Sequence, residues 1–214
     1  MKAKNIKTIA LGILFLTLFV GTIHAFVFPQ ETRCVFVDFY DFETDENLCY
    51  RTGTDKETID QLKKQIKKAE SRVGNFWGEK TATPKFVYCQ DDEDYKKFGN
   101  PYMTPACTHM KIGSYVVISK QGLDLDIISH EISHAELFQR IGFFDRLRKI
   151  PTWFDEGLAM QVDLREYYST EDLKTKTNNL QDLPNVKKLT TPQTFYRTEQ
   201  VMLNYSTARY TVEK

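Results

Sequence analysis

Between residues 54 and 78 apolar and charged positions alternate at the period of a helix. Ile59, Leu62, Ile66, Ala69, Val73 and Phe76 fall three or four apart, with lysines filling the gaps. Thr54 and Glu57 form a capping-box pattern at its start, and Gly74 and Gly78 mark its end. Such a helix is scaffold, one face for the core and one for water. Strands are predicted for 84–89 and for 115–119, the latter bounded by Gly113 and Gly122. Residues 34–40 read as a strand by apolar and aromatic content, and the acidic 41–47 as a loop. Asp91 or Asp92 caps a short helix through Phe98; these acids lack the spacing of a calcium loop. From Leu123 the period is helical again. Ile127, Ile128, Leu137, Phe138 and Ile141 share it with His130 and His134, and Gly142 closes it. After a loop of about ten residues, Pro151 and Thr152 open a helix to about residue 163. Short helices and polar turns follow, and Pro192 precedes a last helix with Val201, Tyr205, Ala208 and Val212 near one face. No repeat or low-complexity linker divides the chain, so residues 26–214 are expected to form one domain.

Composition supports a globular domain: 214 residues, 41% hydrophobic and 27% charged. The 29 basic and 29 acidic residues balance, and no basic patch asks for nucleic acid. Lys2, Lys4 and Lys7 precede an apolar run from Ile9 to Val20, with Ile23 and Ala25 at the −3 and −1 positions of a cleavage site. Residues 1–25 are therefore a secretory signal peptide or an uncleaved N-terminal membrane anchor. Cleavage fits better, because His24 sits badly inside a bilayer. Either way the lysines place the remainder outside the cytoplasm, periplasmic, secreted or anchored facing outward. The four cysteines (Cys34, Cys49, Cys89, Cys107) fit an oxidising compartment, and proximity favours pairing Cys34 with Cys49 and Cys89 with Cys107.

The candidate chemistry lies in His130-Glu131-Ile132-Ser133-His134, an H-E-x-x-H pattern, with Glu156 22 residues after His134 in Trp153-Phe154-Asp155-Glu156-Gly157-Leu158-Ala159. Residues four apart share a helix face, so both imidazoles can grip one ion. Glu131 projects beside them, where it can take a proton from water. A second helix can bring Glu156 across as third ligand. Three ligands and an open position suit catalytic zinc (Zn2+) rather than a closed structural site. His109 stands in a polar loop without a partner and is given no metal role. Trp153 and Phe154 read as packing that fixes the glutamate helix.

HEISH followed by PTWFDEGLA resembles the gluzincin branch of the zincin metallopeptidases, closest to the smaller peptidase MA-like domains. The resemblance implies an α+β zincin-like catalytic domain. A small mixed sheet would pack on a backing helix and an active-site helix, followed by a mostly helical C-terminal part. It implies His130, His134 and Glu156 as zinc ligands and Glu131 as general base, hydrolysing peptide bonds in a peptide or protein substrate. It puts the strand at 115–119 in the place of the edge strand that holds substrate extended. Tyr205-Ser206-Thr207-Ala208 is similar to the segment whose tyrosine assists the oxyanion; a tyrosine packed in the core is the competing reading. Two departures stand out. The spacing from His134 to Glu156 is slightly long, and Met160 stands where some relatives carry an aspartate that orients a zinc histidine. Asp155, Glu136 and Asp126 are the candidates to replace it, and a backbone carbonyl would also serve. No signature for binding a free amino terminus is present. The alternative function is a catalytically inactive zinc-bearing binding or scaffolding domain of the cell envelope; the intact Glu131 argues against it. The apolar segment offers membrane association on either view, and the sequence carries no signal of oligomeric state.

Overall fold

The computed structural model describes residues 2–214; the side chains of Lys2, Lys4 and Lys7 lie outside the described residues. In chain order come α1 (Lys2–Val27), α2 (Pro29–Val35), β1 (Phe42–Asp45), β2 (Leu48–Arg51), α3 (Lys56–Trp77) and β3 (Lys85–Cys89). Next are α4 (Asp92–Phe98), β4 (Ala106–His109), β5 (Tyr115–Ser119), α5 (Leu125–Ile141), α6 (Phe143–Lys149) and α7 (Thr152–Ala159). The helical C-terminal part holds α8 (Thr170–Lys176), α9 (Pro192–Tyr196) and α10 (Val201–Glu213). The class is α+β, with a small mixed five-stranded sheet in the order β1-β2-β3-β5-β4. β2, β3 and β5 run parallel; β1 and β4 are antiparallel on the two edges.

Alternation along the strands sorts side chains into two layers. Leu48, Tyr50, Phe86, Tyr88, Val116 and Ile118 face α3 and α5, meeting Leu62, Ile66, Ala69, Val73, Ile128 and Ile132. The intervening Cys49, Val87, Cys89 and Val117 face the other way, under Cys34 and Val37 and beside Tyr95 and Phe98 of α4. The central strands are thus covered on both faces, which explains their continuous apolar runs.

Several expectations are corrected. Residues 34–40 are not a strand: α2 starts with Pro29 in its first turn and is followed by a 3-10 turn over Val37–Phe39. Their apolar residues lack period-two alternation, and Cys34 and Val37 reach the core from a helical surface. The acidic loop is instead the β1–β2 hairpin. The N-cap of α3 is Asp55, whose side chain accepts from Thr58 N–H (2.8 Å), while Thr54 donates to the Arg51 carbonyl. Gly74 lies within α3, and Gly78, at φ 85°, ends it. The loop after Gly142 contains α6, and the following helix stops at Ala159.

The cysteine expectation also fails, since all four thiols are free. β5 lies between β3 and β4. Cys89 and Cys107 therefore sit two strand spacings apart, roughly 9–10 Å, beyond the reach of a disulfide at about 7 Å. Cys34 Sγ instead donates to the Phe98 carbonyl (3.4 Å), and Cys49 Sγ meets Thr44 Oγ1 (3.2 Å).

Candidate metal centre

α5 carries His130 and His134 on one face and is started by Asp124, whose carboxylate accepts from Asp126 N–H (2.9 Å) and Ile127 N–H (3.1 Å). α7 packs across α5 and brings Glu156 to the same point. The two Nε2 atoms stand 3.1 Å apart; Glu156 Oε2 is 3.3 Å from His130 Nε2, and Oε1 is 3.6 Å from His134 Nε2. All three residues are buried, and their donor atoms lie within 4.8 Å of one another.

The chemistry of this donor set fits a cation. Nδ1 of His134 meets the Asp155 carboxylate and Nδ1 of His130 is turned toward Asp163, which leaves both Nε2 atoms aimed at one point beside Glu156. Two ring nitrogens and a carboxylate converging on one buried point form a donor set that suits a cation. Glu156 Oε2 is buried with no well-aligned hydrogen-bond donor, and His130 Nε2 stands 3.3 Å from it. His130, His134 and Glu156 can therefore hold a metal ion.

Behind the ligands stand carboxylates of unequal quality. Asp155 Oδ1 takes His134 Nδ1 at 2.7 Å, and its other oxygen accepts from Arg146. Asp163 Oδ2 lies 3.6 Å from His130 Nδ1, just beyond hydrogen-bond length, and is held by Arg165. Tyr196 donates its hydroxyl to Glu156 Oε1. Burial disfavours charge on His130, but the Asp163 and Glu156 carboxylates outweigh it and raise its pKa to about 9. For His134 burial is likewise outweighed by Asp155 and Glu156, and its pKa rises well above normal. The pocket attracts positive charge.

Glu131 lies beside the ligands and is held from the sheet. Thr108 Oγ1 donates to Glu131 Oε2 (2.6 Å) and sits 3.0 Å from its backbone carbonyl. Thr108 belongs to β4, which is the edge strand; β5 is interior. The assignment of the edge to 115–119 is therefore corrected: β4 adds outside β5 as an antiparallel neighbour. Ser119 N–H donates to the Pro105 carbonyl (3.0 Å), fixing the alternation of the ladder. Cys107 and His109 are then bonded to β5, while the N–H and C=O of Ala106 and Thr108 point outward. The Ala106 carbonyl accepts from Thr104 Oγ1 (2.7 Å).

A cleft of about 710 Å3 runs from β4 past the ligands to the C-terminal helices. Tyr205 lines it, with its ring 6.1 Å from that of His130 and packed on Phe195 and Tyr168. Burial, then the nearby Glu156, pushes the Tyr205 and Tyr196 pKa values far up, so both phenols remain donors. Arg197 donates to the Tyr102 hydroxyl (3.2 Å), joining the two walls.

The five residues singled out by sequence (His130, Glu131, His134, Glu156 and Tyr205) all line this one cleft. Of the candidates for orienting a histidine, Asp155 does so. Glu136 turns away to Thr81, Ala82 and Arg140, and Asp126 to Arg72. Asp163, Tyr196, Arg146 and Thr108 were not identified from sequence. Asp163, seven residues after Glu156, left a faint signal in its two-turn spacing; the others left none. His109 points away from the ligands, its Nε2 2.8 Å from the Phe98 carbonyl. Comparison of the chain with protein-family models, curated proteins and solved structures gives no match.

Proposed function

We propose that the chain is an extracytoplasmic zinc-dependent peptidase of the gluzincin kind. The supporting observation is convergence: two imidazoles and a carboxylate meet at one buried point, with Glu131 held beside them over an open cleft. Two neutral histidines and one glutamate, backed by Asp155, Asp163 and Tyr196, suit zinc in a hydrolytic site. The α+β class and the small mixed sheet, with an antiparallel edge strand beside the histidine helix, support this reading at the level of fold class.

Zinc, when bound, would supply Lewis acidity, making water acidic and polarising the scissile carbonyl. The chain's own groups do the rest. Thr108 aims the Glu131 carboxylate, which accepts the proton of the attacking water and returns it to the leaving amine. Tyr205, kept protonated, donates to the oxygen on which charge develops. The outward N–H and C=O of Thr108 pair with an extended peptide backbone, which favours cleavage inside chains of varied sequence. Tyr196 holds Glu156 in register from the far side.

The full chain should carry close to one zinc per molecule by elemental mass spectrometry and cut members of an unbiased peptide library. Glu131→Gln should keep the zinc and lower turnover about 100- to 10,000-fold. A variant that cuts as well as the parent would remove Glu131 from the mechanism. Zinc binding without any cleavage by the parent would make this a binding domain instead.

A further inference from the structure

α1 does not hang from the domain on a flexible tether. Phe28 alone separates it from α2, and the hydrogen bonds run on: Phe28 N–H to the His24 carbonyl (2.8 Å), Thr32 N–H to the Phe28 carbonyl (3.0 Å). His24 Nδ1 also meets Thr32 Oγ1 at 2.8 Å, so this ring is tied at the end of the apolar stretch rather than stranded within it. α2 is locked into the fold. Glu31 is buried and accepts from the backbone N–H of Lys111 and Ile112; Arg33 reaches the Lys97 carbonyl; Cys34 lies in the core.

Along the end of α1, α2 and the turn that follows it stand apolar side chains wholly or half open to solvent. Phe26 is 88% exposed and Phe39 86%, and Phe36 and Ile112 are about half exposed. Lys111 Nζ lies 4.4 Å from the centre of the Phe28 ring. From Thr8 to Val27 the helix has 20 residues of mean hydropathy 2.2, none of it buried. That length crosses roughly 30 Å of hydrocarbon. The bond after Ala25 lies inside unbroken helix, not in an extended segment open to a peptidase.

We infer that α1 is retained as a bilayer-spanning anchor, and that Phe26, Phe28, Phe36, Phe39 and Ile112 form a collar bedded in the interface of a phospholipid bilayer. The occupant follows from continuity: the exposed aromatics begin where the span ends, with Lys111 over the Phe28 ring, and such rings and lysines favour the bilayer interface. The seat stands whether or not the cleft is catalytic. Its consequence for the cleft does rest on the peptidase reading. Thr108 lines the cleft and is four residues from Ile112 of the collar, so this wall of the cleft lies within about 13 Å of the collar by chain length. The substrates within reach are then polypeptide segments close to a membrane surface.

The test uses the full chain. Intact mass of protein from the membrane fraction of the expressing cells should include residues 1–25; a chain beginning at Phe26 that washes off in carbonate overturns the anchor. For the collar, Phe39→Trp and Phe26→Trp are reconstituted in phosphatidylcholine vesicles with plain or dibrominated acyl chains. After subtraction of the parent's emission from Trp77 and Trp153, bromine should quench both reporters by about two-fold or more. Quenching at residue 26 with none at residue 39 would overturn the collar while leaving the anchor. Since both positions are nearly fully exposed, a parent-like melting temperature is expected of each variant and checks its fold.

Discussion

The two facing imidazoles are held from behind with unequal grip. Asp155 takes His134 at 2.7 Å, whereas Asp163 stands 3.6 Å from His130. A carboxylate on Nδ1 fixes the tautomer and raises the basicity of Nε2. Asp155→Asn should therefore weaken zinc affinity about 10- to 100-fold. Competition with a chelator of known affinity checks this, and Asp163→Asn should cost less. Equal losses would mean that distance does not rank the two. At this scale the sequence was legible where chemistry is periodic: His130, Glu131 and His134 share a helical turn, and Asp155 neighbours Glu156. It was silent where partners meet across the chain. Thr108 reaches Glu131 over 23 residues and Tyr196 reaches Glu156 over 40, and no spacing rule joins such pairs.

Helix against helix, a single glycine decides how Glu156 is presented. A Cβ on Gly157 would lie 2.6 Å from the Ala208 carbonyl oxygen and 2.6 Å from Val212 Cγ2, so α7 and α10 touch through it. Backbone cannot yield as a side-chain tip can. Gly157→Ala should cost about 1–3 kcal/mol in denaturant unfolding and weaken zinc binding as Glu156 shifts. Unchanged affinity would separate the crossing from the ligand. Away from the site, Glu136 is buried on α5 and accepts from Thr81 and Ala82 N–H, Thr81 Oγ1 and Arg140. Burial alone would raise its pKa; the Thr81 hydroxyl, the two backbone donors and Arg140 outweigh it, and the pKa is lowered. Its contribution is thus complete above the unfolded carboxyl value near ~4.3 and is lost as pH falls through the lower folded value. Glu136→Gln should destabilise the fold by about 3 kcal/mol at pH 7, with the difference from the parent shrinking in acid, as urea titrations at several pH values would show. α3 and α5 were legible because a helical stripe persists over many turns. β4 was not, because four residues, Ala-Cys-Thr-His, carry too little alternation to mark an edge strand.

For the molecule as a whole, the sheet sorts the chemistry. One layer lies against α3 and α5, where the histidines are; the other gathers Cys34, Cys49 and Cys89, with Cys107 packed against them. Burial raises the pKa of all four thiols, that of Cys107 to about 12, which leaves them unreactive. The folded chain should show four titratable thiols only after denaturation, and its melting temperature should not change with reductant. A thiol count of zero in denaturant would contradict the free state. Cysteine number and compartment suggested bridges, but strand order is a property of the whole sheet and cannot be read from neighbours in sequence.

That strand order carries a cost during maturation. β4 precedes β5 in the chain, yet β5 must enter between β3 and β4 before the sheet is complete. Until it does, Cys89 and Cys107 are joined only by a short, unclosed stretch of chain and can meet. An oxidant acting in that interval would staple the gap shut and exclude β5. Oxidative refolding should accumulate a trapped species that reductant releases, so the order of folding and oxidation, more than final stability, would govern the yield of native protein.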